Sequence, residues 1–352
     1  MTDASVSAGF ARGLIEFAVT KGADRAALVA AAGIAPSDLA DQDNRVPFAA
    51  YVSLMRAAKV ATGDAALALH YGETVDIAEI SIVGLIGQAS TTMADAFLQL
   101  NRYVRLVVDV DLGTEQRFQL RHERGGVWLA DTRRDPNAFP ELTESAFAQL
   151  VCGTRRFGST PLVLAVHVTH AAPSYAVEYE RVLGAPVTFD SDWNAMMVDL
   201  SWMSRPVAVL PRYVFGVLSE RGDALLEDLA ASKTVRGRVE ALLLPVLHTG
   251  DVGMEDVAEK MAMSRPTLLR KLKGEGTTYE AVLDELRHRM AVHYLTGKKV
   301  SVNETAYLVG FSEAAAFSRA FKRWTGKSPK VFRDAALVVS KEESSHDDAM
   351  ER

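Results

Sequence analysis

The chain has 352 residues, 48% hydrophobic and 24% charged, which suits a soluble globular protein of two domains or three small ones. Its net charge of −6 divides unevenly: −8 over 1–235, +5 over 236–335 and −3 over 336–352, so a basic, phosphate-facing module is expected beside a more acidic partner domain. No window of about 18 apolar residues exists, Met1-Thr2-Asp3-Ala4-Ser5 is no secretory start, and the lone Cys152 excludes an intramolecular disulfide or a cysteine zinc finger; a reducing cytoplasm is the expected compartment.

The first hundred residues predict helices at 10–20, 25–32 and 48–61, with apolar residues at helical spacing and Gly22, Gly33 and Gly63 as terminators. The run from Asp24 to Ile34 mimics a helix-turn-helix, but Pro36 follows and no basic face is present. A further helix is expected at 94–106, with Phe97, Leu100 and Val104 on one face. The period then changes to two. Strands are expected at 106–112, 116–122 and 127–132, with Glu123-Arg124-Gly125-Gly126 as a hairpin turn. A helix at 142–157 and strands at 162–169, 187–189 and 195–199 complete an α+β domain, 1–205, of helices plus a mainly antiparallel sheet.

Pro206 and Pro211 punctuate the exit from this domain, and 206–235 reads as a helical linker with its helix at 212–229. Residues 236–335 read as helix throughout, and the polar tail 336–352 as disordered.

The most informative feature is an internal near-repeat within 254–275 and 302–324. Ala258 and Ala306 are 48 positions apart, as are Ser264 and Ser312; inside the following helix the offset becomes 49, aligning Leu268 with Phe317, Arg270 with Arg319 and Leu272 with Phe321. Each copy follows helix-turn-helix logic. A small residue lets two helices cross closely, and a short turn buries one apolar side chain and ends in a Ser able to cap the next helix. Gly310 suits its turn because glycine tolerates positive φ. The connection 279–295 reads as one helix spanning ~25 Å, with Val282, Leu286, Met290 and Tyr294 as its stripe and Gly297 as its end. Such a strut would hold two recognition helices in successive major grooves.

From Ala306-Tyr307-Leu308-Val309-Gly310-Phe311-Ser312, through Phe317-Ser318-Arg319-Ala320-Phe321-Lys322-Arg323-Trp324-Thr325-Gly326-Lys327-Ser328-Pro329, to Phe332-Arg333, the sequence resembles the AraC/XylS family of bacterial transcription regulators. His170-Ala171-Ala172-Pro173, Tyr179, Gly184-Ala185-Pro186-Val187 and Phe189 resemble the larger, non-cupin effector domain of one branch. The resemblance implies base-reading positions at Pro266, Leu269 and Arg270 in the first unit and Ala315, Ala316 and Arg319 in the second. Only the arginines carry a strong hydrogen-bonding head. Arg265 opens the first recognition helix, and Lys271, Lys273, Lys322, Arg323 and Lys327 are assigned to phosphates.

The resemblance further implies regulation, by activation, of promoters in double-stranded DNA, with a small-molecule effector in the N-terminal domain, RNA polymerase as a partner and a homodimer as the assembly. Candidate effector-lining residues are Tyr103, Phe118, Trp128, His167 and Trp193. Catalysis finds little support: there is no phosphate-binding glycine loop, no H-E-x-x-H and no nucleophile elbow. His167 and His170, three apart on a predicted strand, point to opposite faces; no metal or cofactor is expected. A helical protein-interaction module fused to a ligand-binding or enzymatic domain is the alternative, and the aligned arginines and local basic charge favour DNA.

Overall fold

A computed structural model describes residues 4–334 apart from 115, 159, 208, 251–252 and 297–299, with the backbone alone at 156 and 212. The expected helix end at Gly297 and the tail 336–352 lie outside the described residues. The chain divides into two compact units, Met1–Glu227 and Asp228–Arg352.

In the first unit, strand β1 (Ser5–Ser7) leads into helices α1 (Ala8–Thr20) and α2 (Arg25–Ala32). Helix α2 has the bounds its sequence predicts because both ends carry a signal. The Asp24 carboxylate accepts from the Ala27 amide, and Gly33 closes the helix at φ 65°. Strand β2 (Arg45–Pro47) precedes α3 (Phe48–Thr62), α4 (Leu67–Thr74), α5 (Ile77–Ile80), α6 (Ile82–Ala89) and α7 (Met93–Val107). Thr92 and Asp95 form a reciprocal capping box at the start of α7.

Helix α7 continues to Val107, so the strand expected at 106–112 shrinks to β3 (Val108–Asp109). It pairs with β1 in a small antiparallel sheet ordered β2-β1-β3. The lost strand has a physical reason: Val104, Leu106 and Val107 are all buried, and a helical continuation buries them.

The larger sheet is built from β4 (Phe118–Glu123), β5 (Gly126–Asp131), β6 (Val163–His167), β7 (Val187–Thr188) and β8 (Asn194–Val198), in the order β4-β5-β8-β6-β7. Every pairing is antiparallel except β6 with β7. Arg124 at φ 50° and Gly125 at φ 74° give the β4–β5 hairpin the two positive angles a tight two-residue turn needs. Helix α8 (Glu141–Thr154) packs Phe147, Ala148 and Val151 onto the sheet face that carries Val127, Leu129, Val166 and Met196. Trp128, Ala130 and Ala195 occupy the opposite face. Helices α9 (Ala176–Leu183) and α10 (Arg212–Ser232) complete this part of the chain. Within the first unit α10 is anchored, since Asp223 accepts from Tyr103 Oη and Arg102 Nη2, both at 2.8 Å.

The second unit has no strand among its described residues and is built on α11 (Val235–Leu243), α12 (Met254–Lys260), α13 (Arg265–Gly274), α14 (Tyr279–Thr296), α15 (Val302–Leu308) and α16 (Ala314–Thr325). They enclose one core that includes Val239, Leu243, Leu268, Leu272, Leu286, Phe317 and Phe321. Helix α14 buries Val282 and Leu286 as expected, but Met290 and Tyr294 are only partly buried and Ala291 and Leu295 take the interior positions. Ala291 lies nine steps of about 100° from Val282, on the opposite side of the helix. The strut is therefore packed from two sides rather than along one stripe.

Candidate nucleic-acid interface and ligand cavity

The two helix-turn-helix copies have the same backbone construction. In the first, Ala262 N donates to Glu259 O at 2.8 Å and Met263 N to Ala258 O at 2.9 Å. In the second, Gly310 N donates to Tyr307 O and Phe311 N to Ala306 O, each at 2.9 Å. Every one of these residues has its counterpart 48 positions away. Both turns pass through the left-handed region, at Ala262 (φ 53°) and Gly310 (φ 80°). Ala258 and Ala306 are buried at the helix crossings.

The helix starts differ. Ser264 caps α13 by accepting from the Thr267 amide, but Ser312 does not cap α16. The N-cap there is Glu313, one residue later, with no side-chain capping bond. That extra residue is the structural origin of the change in repeat offset from 48 to 49.

On α13, Leu268 and Leu272 face the core, leaving Arg265, Pro266, Leu269, Arg270, Lys271 and Lys273 exposed. On α16, Phe317, Ala320 and Phe321 face inward; Ala315, Arg319, Lys322 and Arg323 are exposed and Ala316 is half-buried. Lys327 is exposed just past the end of α16. Two of these cations already have partners, Arg265 with Glu255 and Arg323 with Asp284 at 2.7 Å. Arg270 and Arg319 have no ion-pair partner among the described residues.

Arg287 of α14, which no motif in the sequence singles out, holds the second turn. Its Nη2 donates to Gly310 O at 3.4 Å, its guanidinium lies 5.0 Å over the Phe311 ring, and burial lowers its pKa. An arginine inside an otherwise apolar helical repeat was the available signal.

The five effector-lining candidates separate. Phe118 lines a cavity of about 170 Å³ in the first unit, between α6, α7, α8 and β4. Tyr103 is buried, but its hydroxyl is bound to Asp223 and it is not on the cavity wall. Trp128, His167 and Trp193 cluster together, with Trp128–His167 centroids 4.7 Å and Trp128–Trp193 centroids 5.2 Å apart, and Arg124 lies 4.7 Å over Trp193. Trp128 and Trp193 belong to the other sheet face, away from the α8 core, because side chains alternate along β5. Burial and the nearby Arg124 lower the His167 pKa. His170 lies beyond the end of β6, where its Nε2 is 2.8 Å from Tyr179 Oη.

Gln88, Arg117, Ser145, Gln149 and Thr154 bring polar atoms to an otherwise apolar wall, and none was expected there from sequence. The signal was a stripe of small and polar residues at helical spacing on α8: Ser145, Gln149 and Gly153. Arg117 is buried against Asp131, with Nε–Oδ1 and Nη2–Oδ2 both 3.5 Å. Cys152 Sγ points to Val182 O at 3.5 Å and burial raises its pKa, the environment of a packing residue.

Residues 22–207 match the family model described as the arabinose-binding domain of AraC transcription regulator, N-terminal, and residues 257–335 match a helix-turn-helix domain. The chain is 28% identical to the ornithine utilization regulator of Pseudomonas aeruginosa over 334 residues, covering 94% of this chain and 96% of that protein. It is 27% identical over 164 residues to the HTH-type transcriptional regulator VirS of Mycobacterium tuberculosis, 47% of this chain and 48% of that protein. Among solved structures, the transcriptional regulator CdpR from Pseudomonas aeruginosa aligns with TM-score 0.42 and 20% identity, covering 92% of this chain and 97% of that one.

Proposed function

Because the chain belongs to the AraC family of transcription regulators, we propose that α13 and α16 read promoter DNA and that a small molecule held in the cavity of the first unit controls that reading. The observation that carries this is the pair of exposed arginines, Arg270 and Arg319, each two residues past a buried core anchor, Leu268 or Phe317. A recognition helix anchored through one face and presenting a guanidinium on another is what bidentate contact with guanine O6 and N7 requires.

The lysines contribute phosphate contacts, which fix register without reading sequence. Arg265 and Arg323 reach phosphate by exchanging an exposed carboxylate partner, at a cost of about 0–1 kcal/mol each. Pro266 and Leu269 offer apolar contact to thymine methyl groups, and Ala315 and Ala316 offer little more than close approach. The second unit thus contributes mainly position and the first mainly sequence choice.

Effector control needs only that the ligand bind two arrangements of the protein with different affinity. Activation, contact with RNA polymerase and pairing with a second copy belong to the same reading, by analogy with the family.

The test is selection of duplexes from a random library by the full chain, followed by affinity measured against salt. Enrichment of a bipartite motif, with affinity falling steeply as salt rises, is the expected outcome. No salt-sensitive affinity for any duplex refutes the proposal.

A further inference from the structure

The cavity of the first unit has a chemistry of its own. Its volume of about 170 Å³ is close to that of an engineered apolar cavity of about 150 Å³ that holds benzene. That is room for one ring or a short chain. Most of its polar wall groups already have partners. Ser145 Oγ donates to Leu142 O at 3.3 Å, Thr154 Oγ1 donates to Val151 O at 2.8 Å, and Gln88 Nε2 lies 3.5 Å from Asp76 Oδ1. Arg117 is neutralised by Asp131.

Gln149 is the exception. Its Nε2, a donor shielded from solvent, has no hydrogen-bond partner among the described residues. A buried donor without an acceptor is costly, and an acceptor supplied by a ligand removes that cost.

Two helical glycines add a second argument. Gly87 in α6 and Gly153 in α8 both line the cavity, and a Cβ at either would meet nothing within 4 Å. Glycine is among the poorest helix formers, so its presence where alanine fits calls for another reason. What the two glycines provide is open space on the wall.

We infer that this cavity takes an uncharged, mostly apolar molecule of one ring or a short chain, carrying a single carbonyl oxygen as acceptor for Gln149. The exclusion of charge follows from the wall, which among the described residues carries no Asp or Glu and whose one cation, Arg117, is already paired with Asp131. An ammonium group would be desolvated without a counter-ion. An amino acid such as ornithine, after which one relative is named, does not fit this wall. The inference rests on reading the first unit as an effector-sensing domain.

The experiment titrates the full chain with acetophenone, octanoate, ethylbenzene and L-ornithine, following binding by calorimetry and duplex affinity in parallel. Gln149→Leu removes the donor at similar size, and Gly87→Leu fills the space. Expected for the native chain is binding of acetophenone, about fivefold or more tighter than ethylbenzene, and no binding of octanoate or ornithine. In Gln149→Leu the preference for acetophenone over ethylbenzene should fall to about one while ethylbenzene still binds.

Equal affinity for acetophenone and ethylbenzene in the native chain overturns the inference, as does failure of both to bind, or binding of octanoate at least as tight as acetophenone. Ornithine binding that Gly87→Leu abolishes and that changes duplex affinity overturns the ligand class but upholds effector control. Binding of acetophenone, with the expected Gln149 dependence but unchanged duplex affinity, upholds the ligand class and refutes effector control.

Discussion

Gly310→Ala should unfold the second unit selectively. The residue sits at φ 80°, where an L side chain is strained by about 1–2 kcal/mol. A Cβ there would also stand under 3.0 Å from the Leu247 carbonyl oxygen, a backbone atom that no rotamer change can move. Overpacking of this kind costs about 1–3 kcal/mol. Together the two costs give about 2–5 kcal/mol. For a unit of about 100 residues, each kcal/mol moves the melting midpoint by about 4–8 °C. The midpoint of the second unit should therefore fall by at least about 8 °C, with loss of duplex binding at temperatures the native chain tolerates. Differential scanning calorimetry of the full chain reads this directly, and the transition of the first unit serves as the internal control. A drop of less than about 3 °C would show that neither the left-handed angle nor the carbonyl contact constrains this turn as argued.

The matching position in the first copy behaves oppositely: Ala262 holds φ 53° without glycine, so Ala262→Gly should leave stability unchanged or raise it by up to about 1 kcal/mol, measured by urea denaturation. Arg319→Ala should weaken specific binding by ~1–3 kcal/mol and relax one base position, seen by repeating the duplex selection. Lys322→Ala should instead weaken all duplexes alike and reduce the salt slope by about one ion. Burial raises the Glu144 pKa although Tyr179 and Tyr175 donate to Oε1 at 2.6 and 2.9 Å, and Oε2 has no partner among the described residues. Its stabilising contribution is present while the carboxyl is protonated and is lost as pH rises through the elevated folded value. Glu144→Gln should therefore gain stability relative to the native chain as pH rises above the ordinary carboxylate range, by thermal melts from about pH 4 upward, and a constant difference throughout would contradict the burial argument.

Local signals made some elements legible and left others invisible. Helix α2 could be read because Asp24 and Gly33 mark its ends, and the β4–β5 hairpin because its central residues, Arg124 and Gly125, lie between two alternating runs. The tandem units were legible because their turns repeat residue for residue. By contrast, β1 and β2 are three residues each and pair across some 40 positions, so neither shows alternation. The cavity could not be read at all, because it is assembled from six separated stretches of chain and depends on what two glycines leave out. Large aromatics drew attention instead, and alternation along the sheet placed Trp128 on the face opposite Leu129.

The inequality of the two units extends from side chains to backbone. The second turn is fixed by Gly310, by the Arg287 contact to its carbonyl and by the Phe311 ring beneath that guanidinium. Its recognition helix starts without a side-chain cap, and Arg323 is held by Asp284 of α14. The first turn carries Ala262 in the left-handed region, and its helix is capped by Ser264 and carries Arg270, Lys271 and Lys273 exposed. A rigid turn bearing small residues and one arginine suits a unit that sets register. A capped helix that presents Pro266 and Leu269 beside Arg270 suits one that discriminates. Exchanging the exposed residues of α13 and α16 should then change which sequences are preferred more than it changes how tightly the protein holds DNA at low salt.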